Sequence, residues 1–275
     1  MRPGRPIASK RQRGSEPRPP MNTRDLFPHD AARQELHRSH LANFDHLWSL
    51  SSDWHEVPNQ RRGGWSGVSR HVLADGMAIF VKRQENYLCR TLRHPLRGTP
   101  TFHREYQNIL RLNRHAIGTL EALYYGDRVV AGEWRAILVT RALDQFISLD
   151  EWNLAHQPDV PGERQSLIAA IADACARLHH HHLQHGCLYG NHVFVRRFPE
   201  SPGGYQESDV RFIDLEKLRR GISRRHAGAH DLDQLQRHTR GWTEDDWRAF
   251  RPAYRQRLAE LRAARSARRI SQQQS

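Results

Sequence analysis

Only three cysteines occur in the 275 residues, Cys89, Cys175 and Cys187, and no two of them form a C-x-x-C pair. That excludes a disulfide framework and a structural zinc site of the usual spacing. No apolar run approaches the roughly 20 residues that a membrane-spanning helix needs. The first residues also lack the apolar core of a secretion signal, so the expectation is a cytoplasmic protein. Zinc-finger spacing and the aromatic signatures of RNA-binding sheets are missing. Acidic residues are in deficit, 30 Asp and Glu against 43 Lys and Arg, which leaves a formal net charge of +13. Such a surplus calls for an anionic partner. A phosphorylated glycolipid, an acidic membrane surface and nucleic acid each qualify, the last being the least expected without a reading motif.

What is present suits a folded domain of two lobes. Hydrophobic residues make up 37% and charged residues 27%, enough for a sizeable core. Residues 1–22 are basic and rich in Pro and Gly, and read as a disordered tail. Met21 is an alternative start. Residues 263–275 read as a second polar tail that frays. Between them, 23–141 is strand-rich and 142–262 helix-rich. Asp75-Gly76 between His-Val-Leu and Met-Ala-Ile-Phe-Val-Lys signals a hairpin, and Ala131-Gly132 signals another. Phe102 to Leu112 has apolar residues at helical spacing. Ser148-Leu-Asp-Glu151 is a capping box that opens a helix, Thr243-Glu-Asp-Asp246 caps a later one, and the segment from Ser166 to His182 is a strongly apolar helix. Two further β-runs, Val193-Phe-Val-Arg-Arg-Phe198 and Val210-Arg-Phe-Ile-Asp-Leu215, are joined by a turn-rich loop.

Five groups along this frame carry chemistry. Arg62-Gly-Gly-Trp-Ser-Gly-Val68 lies between β-runs; its Gly63, Gly64, Ser66 and Gly67 would let backbone N–H groups approach phosphate oxygens. No G-K-[ST] follows, so it is not a Walker A loop, and an ordinary hairpin turn explains it equally well. Lys82 ends an apolar run, from which an ammonium would neutralise the phosphates of ATP, with Glu105 on the next helix to hold it. Taken singly, each is also an ordinary surface residue. His185-Gly-Cys-Leu-Tyr-Gly-Asn-His192 follows the apolar helix with the spacing of a kinase catalytic loop, H-R-D-L-x-x-x-N. Cys187 stands at the aspartate position and His192 at the metal-binding asparagine position, with Asn191 adjacent. Asp214 in Phe-Ile-Asp-Leu-Glu ends a β-run where a carboxylate would reach Mg2+ on the ATP phosphates; a capping aspartate is the plain alternative. Asp231, expected to open the next long helix, would tie down the catalytic-loop backbone.

The order of these groups, together with the strand-then-helix layout, predicts an α+β, protein-kinase-like fold: a small antiparallel-sheet N-lobe and a helical C-lobe. From about Trp54 to about Arg240 the chain resembles the lipopolysaccharide kinase family, the Kdo and heptose kinases with their WaaP and InaA types. The marks are His192 in place of asparagine, Ile213-Asp-Leu215 after a strand, and Asp231-Leu232. The resemblance implies ATP and Mg2+ as cofactors and transfer of the γ-phosphate to a sugar of the lipopolysaccharide inner core. It also implies an anionic glycolipid partner and work at the cytoplasmic face of the inner membrane, with peripheral association. The departure is Cys187. An aspartate there would orient the acceptor hydroxyl, whereas a thiol has an ordinary pKa of about 8.5. Three outcomes stay open: a kinase using His185 or His192 instead, a weak kinase, or a nucleotide-binding pseudoenzyme. The run His179 to His182 is read as favourable interaction with a helix C-terminus rather than as a metal site. Cys175 is read as inert core. Arg83, Arg90, Arg93, Arg97 and Arg104 form a basic stretch suited either to an anionic ligand or to solvent.

Overall fold

The computed structural model describes residues 23–273 apart from 52, 62, 92–93, 156–161, 202 and 222. The expected tail 1–22 therefore lies outside the described residues, as do Arg62 and Arg93. The described residues begin with a short strand β1 (Arg24–Leu26) and two helices, α1 (Asp30–Arg38) and α2 (Phe44–Trp48). Strands β2 (Asn59–Arg61), β3 (Gly64–Val72) and β4 (Ala78–Glu85) follow as a meander. A side hairpin, β5 (Leu88–Thr91) with β6 (His94–Pro100), leads into α3 (Thr101–Arg114). Strands β7 (Ala122–Val130) and β8 (Glu133–Arg141) then complete a six-stranded antiparallel sheet of order β1-β7-β8-β4-β3-β2.

Both hairpin signals hold. Gly76 takes φ +85° between β3 and β4. Ala131 and Gly132, at φ +52° and +88°, turn β7 into β8, the paired left-handed residues that match strand twist.

Period-2 alternation decides which side of the sheet carries function. Ile79 and Val81 of β4 and Ile137 and Val139 of β8 pack under α1 and α2 with Leu36, Phe44 and Leu47. Ala136 and Leu138 face the other way and join α3, through Phe102, Tyr106 and Ile109, in the core that continues into the second lobe. Lys82 follows Val81, so its side chain leaves the sheet on the α3 side. The sequence reading named no element in 23–53, and this segment supplies the layer that makes β4 apolar on its far face.

The second lobe holds β9 (Phe146–Ser148), α4 (Leu149–Ala155), α5 (Glu163–His180), β10 (Leu183–Gln184), β11 (Val193–Arg196), β12 (Val210–Phe212), β13 (Arg219–Arg220), α6 (Arg224–His238) and α7 (Glu244–Gln273). Helix α5 is its axis, with Leu167, Ile171, Cys175 and Leu178 fully buried, and burial pushes the Cys175 thiol far up, as expected of an inert core thiol. Both capping boxes form. Glu151 accepts from the Ser148 amide at 2.8 Å while Ser148 Oγ accepts from the Glu151 amide, and Asp246 and Thr243 repeat the exchange. The stretch 263–273, expected to lie beyond the last helix, continues α7.

Candidate active site

Side-chain and backbone contacts link four of the predicted groups to one another. Lys82 Nζ lies 2.6 Å from Glu105 Oε1, with the carboxylate only 3% exposed. Burial alone would lower the Lys82 pKa. The charge and hydrogen bond of Glu105, with Asp214 and Glu216 beyond, outweigh it, and the ammonium is held above its ordinary value. Glu105 is fixed by α3, whose next turn on the same face carries Asn108. The Asn108 side-chain amide donates to the carbonyls of Leu215 and Leu218 at 2.8 and 2.9 Å. One helix thus clamps both the lysine and the turn that follows Asp214.

Asp214 sits at the end of β12 in the left-handed region, φ +54°, a conformation that costs a non-glycine residue about 1 kcal/mol or more. The backbone is held there from both sides. Thr119 Oγ1 donates to the Phe212 carbonyl at 2.7 Å, and His185 Nε2 donates to the Ile213 carbonyl at 2.9 Å. The Asp214 carboxylate is left 42% exposed, 3.6 Å from His192 Nε2. With Glu105 and Glu216 nearby and Lys82 and Lys217 as the cations among them, carboxylates outnumber ammonium groups here, which suits a divalent cation. Burial first, then Asp214 and Glu105, raises the Glu216 pKa.

The loop from His185 to His192 is tied down by Asp231. Its carboxylate accepts from the amides of His185 at 2.6 Å and Gly186 at 3.0 Å, and meets His179 Nε2 at 3.3 Å. The expectation of a helix-opening aspartate is corrected, because Asp231 lies in the middle of α6, which begins at the Ser223 cap. The contact to the loop therefore comes from the helix face and not its end. His179 lies in the last turn of α5, as expected, but is fully buried between Asp231 and the Tyr254 hydroxyl. His181 stacks on His115 with centroids 3.9 Å apart.

His185 was a candidate for catalysis. It is wholly buried, and burial drives its pKa down to about 4. It acts as a neutral prop for the backbone before Asp214 and does not reach an acceptor. His192 does turn its Nε2 toward Asp214, and Asn191 beside it is exposed. Cys187 is nearly buried, its sulfur 3.2 Å from Lys217 Nζ. That contact holds the Lys217 ammonium above its ordinary pKa, and hydrogen bonding to the same thiol raises the Tyr189 hydroxyl. Sequence reasoning missed Lys217. Its only signal is position, three residues past Asp214 in the 3-10 turn Leu215–Lys217 that folds back over the loop.

The glycine-rich segment divides. A Cβ on Gly64 would stand 2.5 Å from the Asn86 carbonyl, and one on Gly67 would stand 2.6 Å from the Trp54 ring. Close packing alone requires both. Gly63, at φ +78°, has open space where its Cβ would be, beside a cavity of about 410 Å³ lined by Gln60, Arg61, Gly63, Gly64 and Trp65. Ser66 pairs with Asn59 across the hairpin. A cavity of about 760 Å³ opens elsewhere, lined by Met77, Ile117, Arg141, Phe146 and Arg211 among others, and it includes none of the predicted site residues. Arg83, read as part of an anion-binding stretch, is instead buried and donates to the carbonyls of Trp48, Leu50 and Ser51.

The family model described as "Lipopolysaccharide kinase (Kdo/WaaP) family" matches residues 45–254. Protein InaA of Escherichia coli (strain K12) is 36% identical over 214 residues, covering 77% of this chain and 94% of that protein. A solved structure, WaaP in complex with acyl carrier protein, superposes with a TM-score of 0.60 at 22% identity. The match covers 86% of this chain and 91% of that one. At that identity the likeness speaks for the two-lobed kinase fold.

Proposed function

Because the chain belongs to the lipopolysaccharide kinase (Kdo/WaaP) family, we propose that it transfers the γ-phosphoryl group of ATP, with Mg2+, to a sugar hydroxyl of the lipopolysaccharide inner core. The acceptor is a heptose or Kdo, reached at the cytoplasmic face of the inner membrane. The observation that carries this reading is the Lys82–Glu105 pair at 2.6 Å with Asp214 within electrostatic reach. Phosphoryl transfer asks mainly for positioning and charge neutralisation. Lys82, fixed by Glu105, would neutralise phosphate oxygens from the sheet side, and the open backbone at Gly63 would cover them. Asp214 and His192 would hold the cation, which when bound would supply positive charge to neutralise the phosphates. Cys187 would face the acceptor hydroxyl, with Lys217 available to the transferred group.

A basic face supports an anionic glycolipid and leaflet as partners. Arg219 and Arg220 are exposed on β13, and burial together with Arg114, Arg220 and Arg104 lowers the Arg111 pKa. Among the described residues none of these five arginines forms an ion pair with a carboxylate. No helix among the described residues is long and apolar enough to cross a membrane. Clustered arginines are attracted to anionic lipid by about 1 kcal/mol each.

The test is ATP turnover and transfer to purified core acceptors. Lys82→Ala and Asp214→Ala should each lower the rate by about a thousandfold, the scale of losing a preorganised charge contact. Activity surviving both changes refutes the mechanism. A deletion strain should lack one core phosphate by mass spectrometry. Cys187 favours a second reading, a kinase-like pseudoenzyme. Under that reading ATP raises the melting temperature while no core acceptor is phosphorylated.

A further inference from the structure

The ring of His192 is held as a metal-ligating imidazole is held. Its Nδ1 lies 2.8 Å from the carbonyl oxygen of Cys187. A carbonyl has no proton to give, so Nδ1 carries the hydrogen and Nε2 is the free nitrogen. Metal-bound histidines characteristically donate their second ring nitrogen to such a carbonyl, which fixes tautomer and orientation. Rotation is further blocked by stacking. Tyr189 lies parallel on the ring at 5.1 Å and 26°, and His185 at 6.2 Å and 23°.

Nε2 then faces Asp214 Oδ2 at 3.6 Å. That is too long for a hydrogen bond, yet short enough for two donors of one cation. Among the described residues no three His, Cys, Asp or Glu side chains converge as in an all-protein cage. This suits a site completed by substrate phosphates, as nucleotide-bound cations usually are.

We infer that His192 and Asp214 form a mixed nitrogen–oxygen site that takes a first-row transition dication such as Mn2+ in preference to Mg2+. The inference rests on the nucleotide reading above and refines its cofactor. The physical reason is ligand type. Mg2+ is hard and demands oxygen donors in strict octahedral array, whereas first-row transition ions accept an imidazole nitrogen more readily, Mn2+ being the weakest binder of that series. An asparagine at 192 would offer an amide oxygen, which Mg2+ accepts. A histidine locked by the Cys187 carbonyl offers only nitrogen.

The experiment uses the full chain with Mn2+ or Mg2+, with and without a non-hydrolysable ATP analogue. Calorimetry should give nucleotide affinity at least about tenfold higher with Mn2+, the lower end of the roughly 10–100-fold that the groups orienting a metal ligand are worth in affinity. Pulsed electron paramagnetic resonance of bound Mn2+ should show coupling to a directly bound 14N. His192→Asn should abolish the coupling and remove the Mn2+ advantage, and Asp214→Asn should weaken binding of both cations. The spectrum of the unaltered protein keeps the idea testable if a variant fails to fold. Nucleotide binding that is equal with both cations, with no nitrogen coupling, overturns this inference and leaves the ATP reading standing. Nitrogen coupling to Mn2+ without any nucleotide binding supports the inference and overturns the ATP reading. Neither signal overturns both.

Discussion

Replacing Asp231 by alanine removes the anchor of the loop that carries Cys187 and His192. The carboxylate accepts from the His185 amide at 2.6 Å, the Gly186 amide at 3.0 Å and His179 Nε2 at 3.3 Å, and it is fully buried. Alanine leaves two backbone amides without their acceptor, roughly 1–3 kcal/mol each. It also strands His179, which keeps only Tyr254. Breaking a buried charged network from one side is worth about 3–5 kcal/mol, and the two figures agree. In a chain of this size each kcal/mol moves the melting temperature by roughly 2–4 °C, so the variant should melt about 10 °C lower at pH 7. Asp231→Asn keeps one acceptor oxygen and should lose about half as much. The pH dependence follows from the direction of the shift. Burial pushes the Asp231 carboxyl up, but His179 and the loop amides outweigh it, and the folded pKa lies below the ordinary value. A depressed carboxyl contributes stability above its unfolded pKa, and that contribution fades as pH falls through the folded one. The gap between parent and Asp231→Ala should therefore narrow only in strong acid. Circular-dichroism melts from pH 3 to 8 read all of this. A variant melting within about 2 °C of the parent at pH 7 would refute the reasoning, since the loop would then be held by something else.

Cys187→Asp places a carboxylate where Lys217 already stands 3.2 Å from the sulfur. A positioned base is worth about 10²–10⁴-fold, so kcat for core phosphorylation should rise by at least about a hundredfold, and an unchanged rate would mean that the group at 187 does not touch the acceptor. Gly67→Ala drives a methyl to 2.6 Å from the Trp54 ring. It should destabilise by about 1–3 kcal/mol through overpacking, visible in urea unfolding, while Gly63→Ala, where space is open, should mainly strain the backbone and weaken nucleotide binding. Burial sets the folded pKa of His185 at about 4 against an ordinary 6.5. The unfolded chain binds that proton first, so stability should be full above pH 6.5 and fall on the order of 3 kcal/mol by pH 4. His185→Phe should flatten that part of the pH profile, and a profile unchanged by the substitution would exclude His185 as its source.

Local pattern was enough to find most of the elements after Trp54 other than the hairpin β5–β6, and to name residues that meet in the structure. A single lysine at the end of an apolar run, a glutamate on an amphipathic helix and an aspartate after a β-run are each set by residues within a few positions, where periods of 2 and 3.6 operate. Lys82, Glu105 and Asp214 could therefore be named, as could both capping boxes and both hairpin turns. The misread residues share a different property. Arg83 looks like a surface cation until the Trp48 to Ser51 backbone wraps it. Asp231 looks like a helix start from its place after the other site groups, yet Ser223 caps α6 eight residues earlier. His185 has the spacing of a reacting residue, and only the Ile213 carbonyl and its burial make it a prop.

The sequence by itself determined the chemical inventory, the lobe order and the side of β4 from which Lys82 emerges, because alternation along a strand is a local fact. Tertiary structure alone decided what the inventory does. The contacts of Lys217 with Cys187, of His192 with Asp214, and of Asp231 with the loop amides join backbone or side chains up to 46 positions apart. No short-range periodicity encodes such distances. They exist because α3 and α6 pack against one turn and one loop from opposite sides, and that packing is a property of the assembled core.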